Sequence, residues 1–145
     1  MENLYEILPD FFIGTNYSLN DPRFNKLCKA NIIINAEKDI NEFTNIHQKY
    51  NNIEIVEKLK QYEIDKLVEY INKITITINN ALNNEKVVLV YCKNGVQISP
   101  TIAVAYLIKY GKFNIEQAIN IMYSKVSNIF IPNIKYLEIL KKITY

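Results

Sequence analysis

Residues 87–101, VVLVYCKNGVQISPT, decide the fold of this chain of 145 residues. An apolar run rich in valine ends at Cys92, and a short segment with one glycine then leads to Ser99 and Pro100. The run predicts a buried strand, and the Ser-Pro pair predicts the N-cap and the first position of a helix. Loop amides and the positive end of that helix would converge beyond the cysteine sulfur, as they do in sites that bind oxyanions.

A cysteine at the end of a strand has a simpler interpretation as a small apolar residue of the core. Cys92 taken alone favours that interpretation. The order of strand, cysteine, glycine-containing loop and helix cap favours an anion-binding loop instead. The local pattern leaves both interpretations open.

Composition limits the classes of protein to consider. Hydrophobic residues make up 49% of the chain and charged residues 22%, which is ordinary for one globular domain with a core of its own. A net charge of +2, without a block of basic residues, argues against a nucleic-acid partner. With two cysteines, Cys28 and Cys92, and one histidine, we expect neither a disulfide framework nor a metal or other cofactor.

No stretch of the sequence is apolar for long enough to span a membrane, and the N-terminus lacks the pattern of a signal peptide. We therefore expect a cytoplasmic protein without a membrane partner. Frequent Asn, Ile and Lys indicate an AT-rich genome.

Apolar periodicity and turn residues predict the elements of the first half of the chain. These are a hairpin of two short strands around Pro9, a short helix from Asp21-Pro22 through Cys28, a central strand at 31–35 that is buried on both faces, a strand at 53–56, and an element at 63–82. The last of these alternates like a strand over part of its length, but its full length favours a helix.

The second half of the chain is predicted to be helical after the strand at 87–90. A helix at 100–110 is apolar nearly all round and should be buried, with Gly111 as its C-cap. Asn114 and Gln117 form a predicted capping box for the next helix, and a final amphipathic helix carries residues 136–143. Together the elements predict a single α/β domain, with a twisted central sheet of about five strands flanked by helices.

The stretch around Cys92 resembles the signature loop of the cysteine-dependent protein phosphatases, His-Cys-x-x-Gly-x-x-Arg-Ser/Thr. Cys92 matches the nucleophile, Gly95 the loop glycine, and Ser99 the hydroxyl that follows the arginine. Two positions depart from the motif, because Tyr91 replaces the histidine and Ile98 replaces the arginine.

The resemblance to the dual-specificity phosphatases covers almost the whole chain. Further matches occur in the family's order at Ile7-Leu8-Pro9 with Phe12-Ile13-Gly14, Ile34-Asn35, Ala81-Leu82, Ser99-Pro100-Thr101 with Ala105-Tyr106-Leu107, Glu116-Gln117-Ala118 and Pro132-Asn133. The resemblance implies a protein-tyrosine-phosphatase-like fold over residues 1–145, with the signature loop at the C-terminal edge of the sheet.

The family's chemistry implies roles for the loop residues. Around a vestigial nucleophile at Cys92, the phosphate loop would comprise Lys93, Asn94, Gly95, Val96, Gln97 and Ile98. An arginine in this loop binds two phosphoryl oxygens through its planar fork, and isoleucine cannot do so. Without that cation, we expect the Cys92 sulfur to stay more thiol-like than in active relatives.

The family also has a general-acid aspartate upstream of the cysteine. In this chain Lys60 and Gln61 lie nearest that place, and Asp65 is too close to Cys92 and falls in the predicted helix. Glu57 and Glu63 remain candidate substitutes. The general-acid region is therefore degenerate.

These departures favour a pseudophosphatase that acts by binding a protein, such as a phosphoprotein or a kinase, and argue against an enzyme. The alternative is a divergent phosphatase that still uses Cys92 as its nucleophile, and a thiol enzyme without phosphate chemistry is disfavoured by the missing His and Arg. Lys58, Lys60 and Lys93 would allow weak binding of phosphate or sulfate, although their interpretation as ordinary solvated lysines is favoured. For Tyr91 a packing role is favoured.

We expect a monomer. Because large DNA viruses and various eukaryotes carry members of this family, the resemblance extends the expected location to the cytoplasm of an infected host cell.

Overall fold

The computed structural model of the chain describes residues 3–24, 28–36, 61–92, 98–126 and 134–143. Its strands are β1 (Leu4–Leu8), β2 (Phe11–Gly14), β3 (Ile32–Asn35) and β4 (Val88–Tyr91). Its helices are α1 (Gln61–Asn83), α2 (Ile98–Tyr110), α3 (Ile115–Lys125) and α4 (Ile134–Lys141), and a short 3₁₀ turn occupies Ser18–Asn20.

The four described strands form one mixed sheet in the order β1-β2-β4-β3. β1 and β2 make the predicted antiparallel hairpin, while β2, β4 and β3 run parallel. In the parallel part, Gly14, Tyr91 and Asn35 lie side by side at the C-terminal edge of the sheet. The strand that precedes Cys92 is therefore flanked on both sides, as its continuous apolar sequence predicts.

The predicted α/β fold is confirmed, and four of the expected strands of the sheet are described. The predicted strand at 53–56 lies outside the described residues. The short helix predicted from Asp21 begins at Pro22 and Arg23, and residues 25–27 of it are also outside the described ranges.

One face of the sheet carries the main core. Side chains alternate along a strand, so Val88 and Val90 of β4 point to the same face as Ile13 and Ile34, and the helices cover that face. All residues of α2 from Ile98 to Ile108 are buried, which explains why its sequence is apolar on every side. α1 packs Leu67, Ile71 and Ile78 into the same core, confirming the helical interpretation of that segment.

The opposite face has a smaller cover, made by Leu4, Phe12 and Leu89 around Cys28. Burial raises the pKa of the Cys28 thiol to about 11, so this cysteine is an apolar packing residue. The prediction that strand 31–35 is buried on both faces is wrong at Ile33, which is 44% exposed. The reason is its position, because β3 lies at one edge of the described sheet and the cluster around Cys28 does not include Ile33.

The ends of α2 differ from the prediction. The helix begins at Ile98, two residues before the predicted start, so Ser99 lies inside its first turn and is not an N-cap. After the helix, the left-handed residue is Lys112, with φ 61°, and not Gly111. Gly111 is required for a different reason, since a Cβ there would lie 2.7 Å from the Leu107 carbonyl oxygen.

The predicted capping box at the start of α3 is confirmed. The Gln117 backbone N–H donates to Asn114 Oδ1 at 2.8 Å, and the Asn114 N–H donates to Gln117 Oε1 at 3.0 Å. Both bonds satisfy donors that the first turn of a helix otherwise leaves unpaired.

Replacing the cap residue tests this local assignment. We expect Asn114→Ala to lower the free energy of unfolding by about 1 kcal/mol, because the Gln117 N–H loses its acceptor. Urea denaturation measures the change. Asn120→Ala, an exposed position of the same helix, is the matched control and should change stability by less than about 0.5 kcal/mol. Equal effects of the two substitutions would contradict the capping role.

Candidate functional site

The site is built where β4 ends. The Cys92 N–H donates to the Gly14 carbonyl oxygen at 3.2 Å, which extends the parallel pairing of β2 and β4 by one residue. The Cys92 side chain is 0% exposed and belongs to the main core, on the same face as Val88 and Val90. The sheet thus directs the sulfur toward the helical layer.

The first turn of α2 brings a hydroxyl to this sulfur. Ser99 Oγ lies 3.3 Å from Cys92 Sγ, and either atom can be the donor. Both side chains are fully buried. The two residues that match the family motif at its nucleophile and hydroxyl positions are therefore in contact, with Ser99 reaching the sulfur from the first turn of the helix.

Ile98 opens α2 and is 3% exposed, in the same buried cluster as Cys92. At the position where the motif has a guanidinium, this chain places an aliphatic side chain in the core. An aliphatic group can neither donate a hydrogen bond nor neutralise charge, so position 98 contributes packing alone.

The remaining loop residues of the predicted site, Lys93, Asn94, Gly95, Val96 and Gln97, lie outside the described residues. Lys60 does so as well, together with Glu57 and Lys58. Tyr91 is half-buried at the end of β4, beside Gly14 and Asn35 in register.

In the predicted general-acid region, Gln61 is the first residue of α1 and is exposed. Its side-chain amide donates to Asp65 Oδ1 at 3.2 Å, and Lys142 Nζ lies 3.6 Å from the same oxygen. Asp65 is thus an acceptor on the surface of α1, where it pairs with an amide and an ammonium group.

Sequence reasoning did not consider Arg23, although it is the only arginine in the chain. Its Nε lies 3.2 Å from Asp21 Oδ1 and its Nη2 lies 3.1 Å from Asp21 Oδ2. Nη2 also donates to the Leu4 carbonyl oxygen at 2.9 Å. The hydrogen bonds from Arg23 hold the pKa of the Asp21 carboxyl below its usual value. The rarity of arginine in a lysine-rich chain was the available signal.

The described residues are those at 3–24, 28–36, 61–92, 98–126 and 134–143. Within those ranges, no three His, Cys, Asp or Glu side chains are grouped so that they could hold a metal ion. Among the helices at 61–83, 98–110, 115–125 and 134–141, none combines the length and apolarity needed to cross a membrane.

Taken together, the described part of the site is a buried thiol, a hydroxyl in contact with it, and an apolar neighbour. The thiol and hydroxyl could take part in nucleophilic chemistry. The stabilisation of a charged transition state requires preorganised donors, and the Ile98 side chain supplies none.

Comparison with known proteins places this geometry in a family. The model of the dual specificity phosphatase catalytic domain matches residues 11–144. A protein of Invertebrate iridescent virus 6 that is named after tyrosine phosphatases, 123R, is 30% identical over 76 residues, which cover 52% of this chain and 53% of the viral protein.

A second relative is MAP kinase phosphatase with leucine-rich repeats protein 3 from Dictyostelium discoideum. It is 28% identical over 120 residues, covering 83% of this chain and 14% of the relative. The chain therefore spans about half, or less, of the length of these curated relatives.

Among solved structures, the human tyrosine phosphatase-like serine/threonine/tyrosine-interacting protein has the same fold. The TM-score is 0.71 at 17% sequence identity, over 98% of this chain and 95% of the human one. The match of the family model over nearly the whole sequence, with Cys92 and Ser99 in contact at the end of the central strand, shows that this chain belongs to the dual-specificity phosphatase catalytic-domain family.

Proposed function

We propose that this chain is a catalytically inactive member of the family, a pseudophosphatase, that acts by binding a protein. The observation that carries the proposal is the burial of Ile98 in the same core cluster as Cys92. The motif requires a guanidinium at this position to bind the phosphoryl oxygens, and the chain offers an aliphatic side chain.

The expected loss of activity is large. Removing one preorganised donor to a developing negative charge typically costs about 10²–10³-fold in rate. A missing general acid costs about another 10²–10⁴-fold, and Gln61 at the start of α1 cannot act as one. The two losses are not strictly additive, but either one removes most of the activity.

The only arginine in the sequence does not offer an evident replacement. The Arg23 guanidinium is engaged by the Asp21 carboxylate and the Leu4 carbonyl oxygen. To bind a phosphoryl group it would have to give up a charge-assisted pair with a carboxylate, which is a strong contact for an arginine fork.

A second candidate function is a divergent phosphatase that uses Cys92 as its nucleophile. The contact of 3.3 Å between Cys92 Sγ and Ser99 Oγ favours this candidate, because it retains the nucleophile and its neighbouring hydroxyl. In this alternative, the cation and the acid would come from other residues of the chain.

For the partner we propose a kinase or another phosphoprotein. Two comparisons support this choice in name only: the Dictyostelium relative is named a MAP kinase phosphatase, and the human protein with the same fold is named an interacting protein. We also propose that the protein acts as a monomer in the cytoplasm, including that of an infected host cell, in line with its viral relative.

The first test is hydrolysis of an aryl phosphate. We expect the purified protein and Cys92→Ala to show the same rate, because position 98 provides no stabilisation of the transition state. The absence of contaminating phosphatase is checked with an unrelated protein purified in the same way. A rate typical of active phosphatases that disappears in Cys92→Ala would establish the second candidate instead.

Substitution of Ile98 by arginine tests directly whether the missing guanidinium prevents the loop from binding oxyanions. We expect Ile98→Arg to destabilise the protein by about 3–5 kcal/mol, because it places an unpaired charge in the core. Tungstate, an oxyanion, should restore part of this stability in thermal unfolding, by about 2.7 kcal/mol at a concentration 100 times its Kd.

Ile98→Val is the matched control for the tungstate experiment. It removes one methyl group, so it should cost about 0.5–1.5 kcal/mol and should not respond to the anion. The idea fails if tungstate stabilises the wild type as strongly as Ile98→Arg, since the loop would then bind oxyanions without an arginine.

Direct binding to a MAP kinase tests the partner. We expect the phosphorylated kinase to bind the immobilised wild type. The Kd of Cys92→Ala should agree with that of the wild type within about two-fold, a difference of about 0.4 kcal/mol in binding free energy, because Cys92 is buried and most of the binding energy of an interface comes from other residues. No binding by either form would reject a MAP kinase as the partner and leave the test of hydrolysis unaffected. Binding that requires Cys92 would favour a phosphate-directed contact.

A further inference from the structure

β1 forms one edge of the sheet of described strands. Among the strands that the structure describes, β1 has one neighbour, β2. The Thr15 N–H donates to the Asn3 carbonyl oxygen, and the antiparallel register pairs Leu4 with Gly14 and Glu6 with Phe12. In such a ladder alternate residues bond to the partner strand, so the backbone groups of Leu4 and Glu6 point outward.

Arg23 occupies one of these outward groups. Its Nη2 donates to the Leu4 carbonyl oxygen at 2.9 Å, while Nε and Nη2 both contact the Asp21 carboxylate. Asp21 Oδ1 also accepts the Arg23 backbone N–H at 2.8 Å, which fixes the carboxylate at the start of the turn. The planar fork of arginine can make these contacts together, whereas the single ammonium group of lysine cannot reproduce their geometry.

The far end of the strand is irregular. The register shifts between Glu6 and Leu8, and Pro9 follows, with Asp10 at φ 70°. α3 leaves an open groove of about 290 Å³ beside this end, between Glu6–Pro9 and the side chains of Ile121 and Lys125. Helix α3 therefore leaves room beside the second half of β1, and Arg23 covers the first half.

An uncovered β1 edge would be complementary to itself. In an antiparallel pairing about a two-fold axis at Tyr5, Leu4 of one copy faces Glu6 of the other. Both residues have outward backbone groups, so each Leu4–Glu6 pair could exchange two hydrogen bonds. The Leu4 carbonyl oxygen is required for this pairing, and in the structure it accepts from Arg23.

We propose that the Asp21–Arg23 pair is a latch that prevents β1 of one copy from pairing with β1 of a second copy. Natural proteins commonly protect exposed strand edges with charged residues, prolines and bulges. Here Arg23 contacts the edge of β1, the register shifts after Glu6, and Pro9 follows the strand. The proposal is independent of catalytic activity.

The test is the molar mass in solution, measured by light scattering after size exclusion. We expect Arg23→Gln to increase the weight-average mass up to two-fold with rising protein concentration, compared with the wild type. Arg23→Lys, a milder change that keeps the charge and loses the fork, should have a smaller effect of the same sign. Lys141→Gln, an exposed position on α4, is the charge-matched control and should behave as the wild type.

A proline identifies the surface involved. Glu6→Pro removes an N–H that points away from β2, so it blocks edge pairing without removing a bond of the β1–β2 ladder. We expect the double variant Arg23→Gln/Glu6→Pro to return to the mass of the wild type. Association that survives the proline, or folded Arg23→Gln and Arg23→Lys variants with the wild-type mass, would overturn the proposal. So would a wild-type dimer that Glu6→Pro dissociates.

Discussion

The junction between β4 and α2 is the packing arrangement on which the rest of the site depends. β4 lies between two parallel strands, and α2 is buried along nearly its whole length, so both elements are fixed by apolar burial. Their meeting point places Cys92, Ile98 and Ser99 in the core together. The position of the sulfur is thus a consequence of core packing, and it would be kept whether or not the residue performs chemistry.

This arrangement explains how a family site can persist without its charge. A guanidinium at position 98 would need an anion or a carboxylate as partner, because an unpaired buried charge is strongly destabilising. Isoleucine satisfies the same position through dispersion contacts and burial alone. With isoleucine there, position 98 has neither the charge nor the side-chain donors of a guanidinium, while Cys92 and Ser99 are in contact.

Position 23 differs from position 98 because its side chain has polar partners. Arg23 lies at a partly exposed edge, where its planar fork has a carboxylate and a carbonyl oxygen to bind. In a chain that otherwise uses lysine as its basic residue, arginine occurs where several hydrogen bonds must be made in one plane. The partly exposed position 23 thus has an arginine with partners for its hydrogen bonds, and the buried position 98 has an isoleucine that needs none.

The sequence by itself determined the α/β class, the hairpin around Pro9, the strand that leads to Cys92, the long helix at 61–83 and the capping box at Asn114. These follow from local periodicity and from residues whose backbone preferences act over a few positions. The contact of Ser99 with Cys92 was not predicted, and it is known from the structure alone. Only the tertiary structure decided that β3 exposes Ile33, that α2 starts at Ile98 with its side chain in the core, and that Arg23 binds the edge of β1. Each of these depends on which element lies beside another across the sheet, and a linear pattern carries no information on contacts between residues that are distant in the chain.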